Sequence, residues 1–170
     1  MNYQRMDWKS LPRELELGLC EYAKDAPPIN PNLTIYSVFS TIVIPSEVEA
    51  WIRSELPISD NHTVVIQRFR APWIGVHKDS IRDCAYNYVL SDDNAITHFY
   101  DDDQSLVESV RYEKSVWYYH NTDVFHSVDE ITDMFRCAIS VFETIPAKLG
   151  GDYALNNVAP EFLKWSEGKK

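Results

Sequence analysis

Basic residues are scarce in this 170-residue sequence, where 16 Lys and Arg stand against 26 Asp and Glu, a formal net charge of −10. No Lys/Arg cluster offers a surface that could track phosphates, so nucleic acid drops out of the expected partners. Cysteine is scarcer still. Cys20, Cys84 and Cys137 are odd in number, far apart and without a C-x-x-C pair, which argues against a disulfide framework or a zinc knuckle and suits a reducing cytoplasm. No apolar run approaches the roughly 20 residues of a membrane helix. The opening MNYQRMDWKSLPRELEL lacks the apolar centre of a secretory signal. The expectation is a protein that works where it is made, with no membrane partner. Internal repeats and low-complexity segments are absent as well.

What remains fits one domain, residues 1–170, long enough to bury a core without metal or disulfide staples. The stretch LPRELELGLCEYAKDA predicts a helix that stops before Pro27-Pro28. The β-branched and aromatic LTIYSVFSTIVI that follows predicts one or two strands. In PSEVEAWIRSEL, Ser46 precedes Glu49 by three residues, the spacing of a capping box, and predicts a short helix.

From 63 to 143 the chain is a series of short runs rich in Val, Ile, Tyr, Phe and Thr, broken at SDDN, DDDQ and HNTD. About six to eight strands without intervening helices suggest a sandwich or jelly roll, with the helices on one outer face. The tail KLGGDYALNNVAPEFLKWSEGKK reads as loop plus a short helix. The chain thus divides into N-terminal helices and strands (1–62) packing on a barrel, a β core (63–143) and a C-terminal tail (144–170).

The stretch IGVHKDSIRDCAYNYVL ends a strand in His77 and Asp79, two polar side chains that alternation puts on one face. An H-x-D alone is weak evidence for a site, since a solvated strand end reads the same way. His126 lies 49 residues further on and Arg136 another 10, and three elements at such separations are harder to meet by chance. Parity in MFRCAISVF puts Phe135, Cys137, Ile139 and Val141 on one face and Arg136, Ala138, Ser140 and Phe142 on the other. The first face is ordinary core. The second holds a guanidinium inside an apolar strand, which is costly unless an anion meets it. That anion is either an internal Asp or Glu or a bound carboxylate gripped by the Arg fork.

Two imidazoles and one carboxylate on one face of a metal are the ligand set of non-haem Fe(II) oxygenases. His77, Asp79 and His126 supply it. Arg136 would anchor the distal carboxylate of a dicarboxylate cosubstrate whose keto-acid end chelates the metal. His98 and His120 read instead as hydrogen-bonded structural or surface residues, and His62 as a turn residue.

In the order and spacing of these residues the chain resembles the 2-oxoglutarate and Fe(II)-dependent dioxygenases. HKDSIRDCAYNYVL, THFYDD, NTDVFHSV and RCAISVFE look like small oxygenase-like proteins of phages and bacteria, of prolyl- or aspartyl-hydroxylase type. The resemblance spans roughly residues 63–143. It implies a double-stranded β-helix, a cupin-like jelly roll that is mainly β with flanking helices. It implies His77, Asp79 and His126 as the catalytic iron ligands, and Arg136 as the clamp for 2-oxoglutarate. Asn87 and Ser140 would help hold that cosubstrate. NAITHF keeps Thr97 and Phe99 but lacks the Gly of a G-x-T turn found in many prolyl-hydroxylase-like members, so the substrate-loop geometry is not carried over.

The implied activity is hydroxylation of a small molecule or a protein side chain, with 2-oxoglutarate decarboxylated to succinate, in a bacterial or phage-infected cell. The alternatives are a β-helix module that binds metal or carboxylate without turnover, a phage-associated structural or interaction protein, and a cupin-like metal enzyme with His120 as third imidazole ligand.

Overall fold

The computed structural model describes residues 1–29, 39–79 and 81–145. In chain order they form β1 (Tyr3–Arg5), α1 (Arg13–Glu16), α2 (Leu19–Asp25), β2 (Phe39–Ile42), α3 (Ser46–Glu55), β3 (His62–Phe69), β4 (Ile74–His77) and β5 (Cys84–Val89). Then follow β6 (Ile96–Tyr100), β7 (Leu106–Val110), β8 (Trp117–Asn121), β9 (Phe125–Asp129), a 3-10 turn (Thr132–Met134) and β10 (Arg136–Glu143).

Two antiparallel sheets result, one ordered β1-β8-β5-β10-β3-β2 and the other β4-β9-β6-β7. From β3 onward the chain crosses between them at every connection except the β6–β7 hairpin. That alternation is a double-stranded β-helix, and its eight strands from β3 to β10 lie within the six to eight expected of the run from 63 to 143. β1 and β2 extend the larger sheet at its two edges.

The larger sheet is buried on both faces at its centre, which is why β10 is buried at every position but its last, Glu143. On the outer face Cys137, Ile139 and Val141 join Ile66, Tyr88 and Trp117, against which the helices press Leu19, Ala23, Val48 and Ile52. Leu19, Val48 and Ile52 each contribute about 1.5–3 kcal/mol when fully buried. Arg68, on the outer side of β3, donates from Nη1 to the carbonyls of Ala23, Lys24 and Ala26 at 2.9–3.1 Å. A cation thereby satisfies the carbonyl end of α2 and ties it to the sheet. Nearby, the Cys137 thiol donates to Cys20 Sγ at 3.6 Å.

The inner face differs. Direct cross-strand partners share a face, so the pairings Ser140↔Asn87, Ala138↔Gln67 and Ala85↔His120 put Ser140, Asn87, Gln67 and His120 between the sheets. The polar lining of this space positions the site.

Two local expectations are corrected. The helix expected over LPRELELGLCEYAKDA is two, because Gly18 adopts φ +86, a left-handed conformation that only glycine takes cheaply. The capping box at Ser46 does not form. Pro45 is the N-cap, its carbonyl accepting from Val48 and Glu49 at 3.1 and 3.0 Å, while the Ser46 hydroxyl bonds Glu47. Proline's fixed φ suits the turn into a helix without help from a side chain. Residues 33–38 of the expected early strands, and the loop and helix expected after Pro146, lie outside the described residues. Among the described residues no helix is long and apolar enough to cross a membrane.

Candidate metal centre

His77 closes β4, and its direct partner across the antiparallel pair is His126 of β9. Their rings therefore project from the same face, with centroids 4.3 Å apart. Asp79 follows two residues beyond β4, where its backbone N–H donates to the Thr122 carbonyl at 3.0 Å and tethers the loop to the β8–β9 connection. The three sequence-derived ligands are thus brought together. Asp79 Oδ1 lies 3.5 Å from His77 Nε2 and 3.8 Å from His126 Nε2, and all three ligand atoms fall within 4.8 Å of one another.

Hydrogen bonds behind the site orient the imidazoles. His77 Nδ1 lies 2.8 Å from the Gly75 carbonyl and His126 Nδ1 2.9 Å from the Val124 carbonyl. A carbonyl only accepts, so both rings carry their proton on Nδ1 and turn the Nε2 lone pair toward Asp79. Burial, reinforced by His77, pushes His126 down to about 4, keeping it neutral. Burial alone would raise Asp79. Arg82 and the two neighbouring imidazoles outweigh it and hold the carboxyl well below its usual range. Two imidazoles that offer Nε2 and one carboxylate fit a divalent transition metal in their number and donor type.

Arg82 was not legible as part of the site. Its Nε donates to Asp79 Oδ2 at 2.6 Å, its Nη1 to Ser140 Oγ at 3.0 Å, and its guanidinium stacks 4.6 Å from the Phe142 ring. Turned so that its oxygen faces the guanidinium, the Gln67 amide accepts from Nη1 and Nη2 at 2.7 and 2.9 Å. The only sequence signal is an Arg three residues after Asp79, in a stretch read as a polar gap.

Arg136, at the start of β10, is met by an internal carboxylate. Its Nη1 donates to Asp93 Oδ1 at 2.8 Å, with side-chain exposures of 6% and 2%. Asp93 also accepts from Ala95 N–H at 2.9 Å and from Ser91 Oγ at 2.6 Å. Asn87 and Ser140 are opposite each other on β5 and β10. Ser140 accepts from Arg82, whereas the buried Asn87 Oδ1 has no partner among the described residues.

His98 faces away from the interior, paired with Ser109 Oγ at 2.7 Å and Asp129 at 3.4 Å, and His62 bonds Ser59 in a turn. His120 is hydrogen-bonded, its Nδ1 3.1 Å from the Tyr112 hydroxyl, and does not lie at the surface. It is buried between the sheets, edge-on to His126 at 4.8 Å and to Phe99 at 5.0 Å.

The strand order and the converging triad define the class: a double-stranded β-helix carrying a candidate two-His, one-carboxylate metal centre. No protein-family model matches the chain, and no curated protein sequence does. Among solved structures it is similar to Bacillus subtilis oxalate decarboxylase, whose Mn(II) centres that structure concerns, at 13% identity and a TM-score of 0.44 over 71% of this chain and 28% of that one. It is also similar to vicilin from Corylus avellana, at 10% identity and 0.45 over 71% and 32%. Procruciferin, the 11S globulin of Brassica napus, matches at 11% and 0.42 over 69% and 28%. The chain spans under a third of the length of each. The fold assignment rests on the strand order and not on these likenesses.

Proposed function

We propose that the protein is an Fe(II)- and 2-oxoglutarate-dependent oxygenase that hydroxylates a small molecule or a protein side chain. The observation that carries this reading is the convergence of two Nε2 lone pairs and one carboxylate oxygen, each oriented by its own hydrogen bond, on the polar interior of the β-helix. His77, Asp79 and His126 would hold the iron. With its cosubstrate, that group supplies dioxygen activation at the cost of decarboxylating 2-oxoglutarate to succinate.

The residues around the triad have distinct tasks in this reading. Arg82 fixes the orientation of Asp79. Asp93 occupies Nη1 of Arg136, and the rest of the guanidinium fork grips the distal carboxylate of the cosubstrate. Ser140 accepts from Arg82, so its own hydroxyl proton can be donated to that carboxylate, with Asn87 beside it. The acidic balance of −10 disfavours nucleic-acid substrates, and three widely spaced cysteines suit the reducing cytoplasm of a bacterial or phage-infected cell.

An anaerobic titration of apo-protein with Fe(II) and 2-oxoglutarate tests the reading. The expected result is a saturable metal-to-ligand charge-transfer band, lost in His126→Ala and weakened in Arg136→Ala. No band from folded wild-type protein sinks it. The Arg136–Asp93 pair favours one rival, because an internally neutralised Arg also suits a module that binds metal without turnover. Succinate release under air separates that rival from the oxygenase.

A further inference from the structure

Three neighbouring imidazoles line one interior, and the hydrogen bonds give them two different tautomers. His77 and His126 are protonated on Nδ1 by the argument from their carbonyl partners. His120 is held differently. Its Nδ1 lies 3.1 Å from the Tyr112 hydroxyl, which is itself buried, 6% exposed, and has no other hydrogen bond among the described residues. Burial pushes the Tyr112 phenol far above its ordinary range, so the hydroxyl keeps its proton.

Two arrangements are open to this pair. If Nδ1–H donates to the phenol oxygen, the Tyr112 proton and the His120 Nε2 lone pair are both left without partners in a dry interior. If Tyr112 O–H donates to Nδ1, only Nε2–H is left over. The second arrangement strands one polar group instead of two and is favoured for that reason. His120 Nε2 is then a hydrogen-bond donor, in a residue 6% exposed, with no acceptor among the described residues.

A lone donor in that position calls for an acceptor that arrives with a ligand. Asp79 Oδ1 faces His77 and His126, Oδ2 is engaged by Arg82, and neither oxygen is within hydrogen-bond reach of His120 Nε2. A second unpartnered polar end, Asn87 Oδ1, lies diagonally across the β5–β8 pair from His120 on the same face, since Ala85 is opposite His120 and Asn87 opposite Tyr118. The oxygen itself only accepts and cannot meet a carboxylate; with its amide turned, Asn87 presents Nδ2–H there, and together with His120 it can address both oxygens of a carboxylate. Arg82 supplies positive charge alongside. We infer that His120 is not a metal ligand but a hydrogen-bond donor, working with Asn87, to a carboxylate ligand bound beside the His77–Asp79–His126 triad. This inference rests on the metal-site reading above and adds to it a recognition residue on β8. The shared chemistry is a carboxylate, whether of 2-oxoglutarate or of another small acid.

The test has two parts. Long-range ¹H–¹⁵N correlation of the histidine rings in apo wild-type protein reads the tautomers directly, without metal or ligand. His120 is expected on Nε2 and the other two on Nδ1, and a His120 proton on Nδ1 overturns the inference. In Zn(II)-loaded protein, titrated anaerobically with 2-oxoglutarate and separately with acetate, His120→Phe should leave Zn(II) affinity within about threefold. It should weaken carboxylate binding about 10- to 100-fold, the worth of one hydrogen bond to a charged group. His120→Gln, which keeps an N–H, should recover most of that loss.

Tyr112→Phe leaves His120 in place and should abolish its tautomer preference, so the argument does not hang on one buried variant folding. A tenfold or greater loss of Zn(II) affinity in folded His120→Phe makes His120 a ligand and overturns the inference, as does unchanged carboxylate affinity. Acetate binding that depends on His120, with no binding of 2-oxoglutarate, sinks the oxygenase reading and leaves this inference standing.

Discussion

Asp79 divides its two carboxylate oxygens between Arg82 and the imidazole pair, Oδ2 accepting from Arg82 Nε at 2.6 Å while Oδ1 faces His77 and His126. A carboxylate gripped on one side presents its other oxygen in a fixed direction, which is how a residue behind a metal site tunes it.

Arg82→Ala removes that grip. Breaking one partner of a buried pair costs about 3–5 kcal/mol, because the other charge is left uncompensated. Metal affinity should also fall about 10- to 100-fold. Chemical denaturation and a Zn(II) titration read the two effects separately, and full metal affinity in the folded variant would show that Asp79 needs no positioning.

Metal stoichiometry distinguishes the histidines. His126→Ala should bind no stoichiometric Fe(II) or Zn(II), whereas His98→Ala, altered on the outer side of the smaller sheet, should bind one equivalent. Elemental analysis after metal loading and desalting checks both. Retention of metal in His126→Ala would mean the triad is a coincidence of packing.

Acid should destabilise the metal-free protein well before carboxylates titrate. The ordinary histidine value of 6.5 applies to the unfolded chain, whereas folded His126 is pushed down to about 4 and His120 is lowered in the same direction. Between these values the unfolded chain binds protons that the folded one refuses, so stability is intact above pH 6.5 and falls as the pH drops toward 4. His126 alone accounts for about 3 kcal/mol. Denaturant titrations in chelator at pH 7.5, 5.5 and 4.5 should show this decline, and a flat profile would refute it.

Asp93→Asn leaves the buried Arg136 facing a neutral amide. The expected loss is about 3–5 kcal/mol. If Arg136 also grips a cosubstrate carboxylate, 2-oxoglutarate should raise the melting temperature of metal-loaded Asp93→Asn by more than that of wild type, as thermal unfolding will show.

Gly18→Ala tests the break between α1 and α2. Nothing lies within 4 Å of the position a Cβ would take, so the cost is backbone strain alone. A φ of +86 should cost about 1–2 kcal/mol in the alanine variant, measured by denaturation.

Alternation and composition in the sequence determined the run of strands between 63 and 143 and the two faces of β10, because side chains on a strand alternate whatever the strand packs against. They also singled out His77, Asp79 and His126, since an H-x-D at a strand end and a distant His are visible in the residues themselves. Local backbone choices were less legible. Gly18 divides a helix whose apolar pattern runs straight through it, and Pro45 displaces Ser46 from the cap.

Only the tertiary structure decided which charges meet. Asp93 reaches Arg136 from a loop that reads as a polar break, Arg82 turns from a loop under Asp79 toward Ser140 on another strand, and His120 comes to lie against His126 from the opposite sheet. Each of these contacts depends on strand register and on the crossings between sheets, which no local pattern of residues encodes.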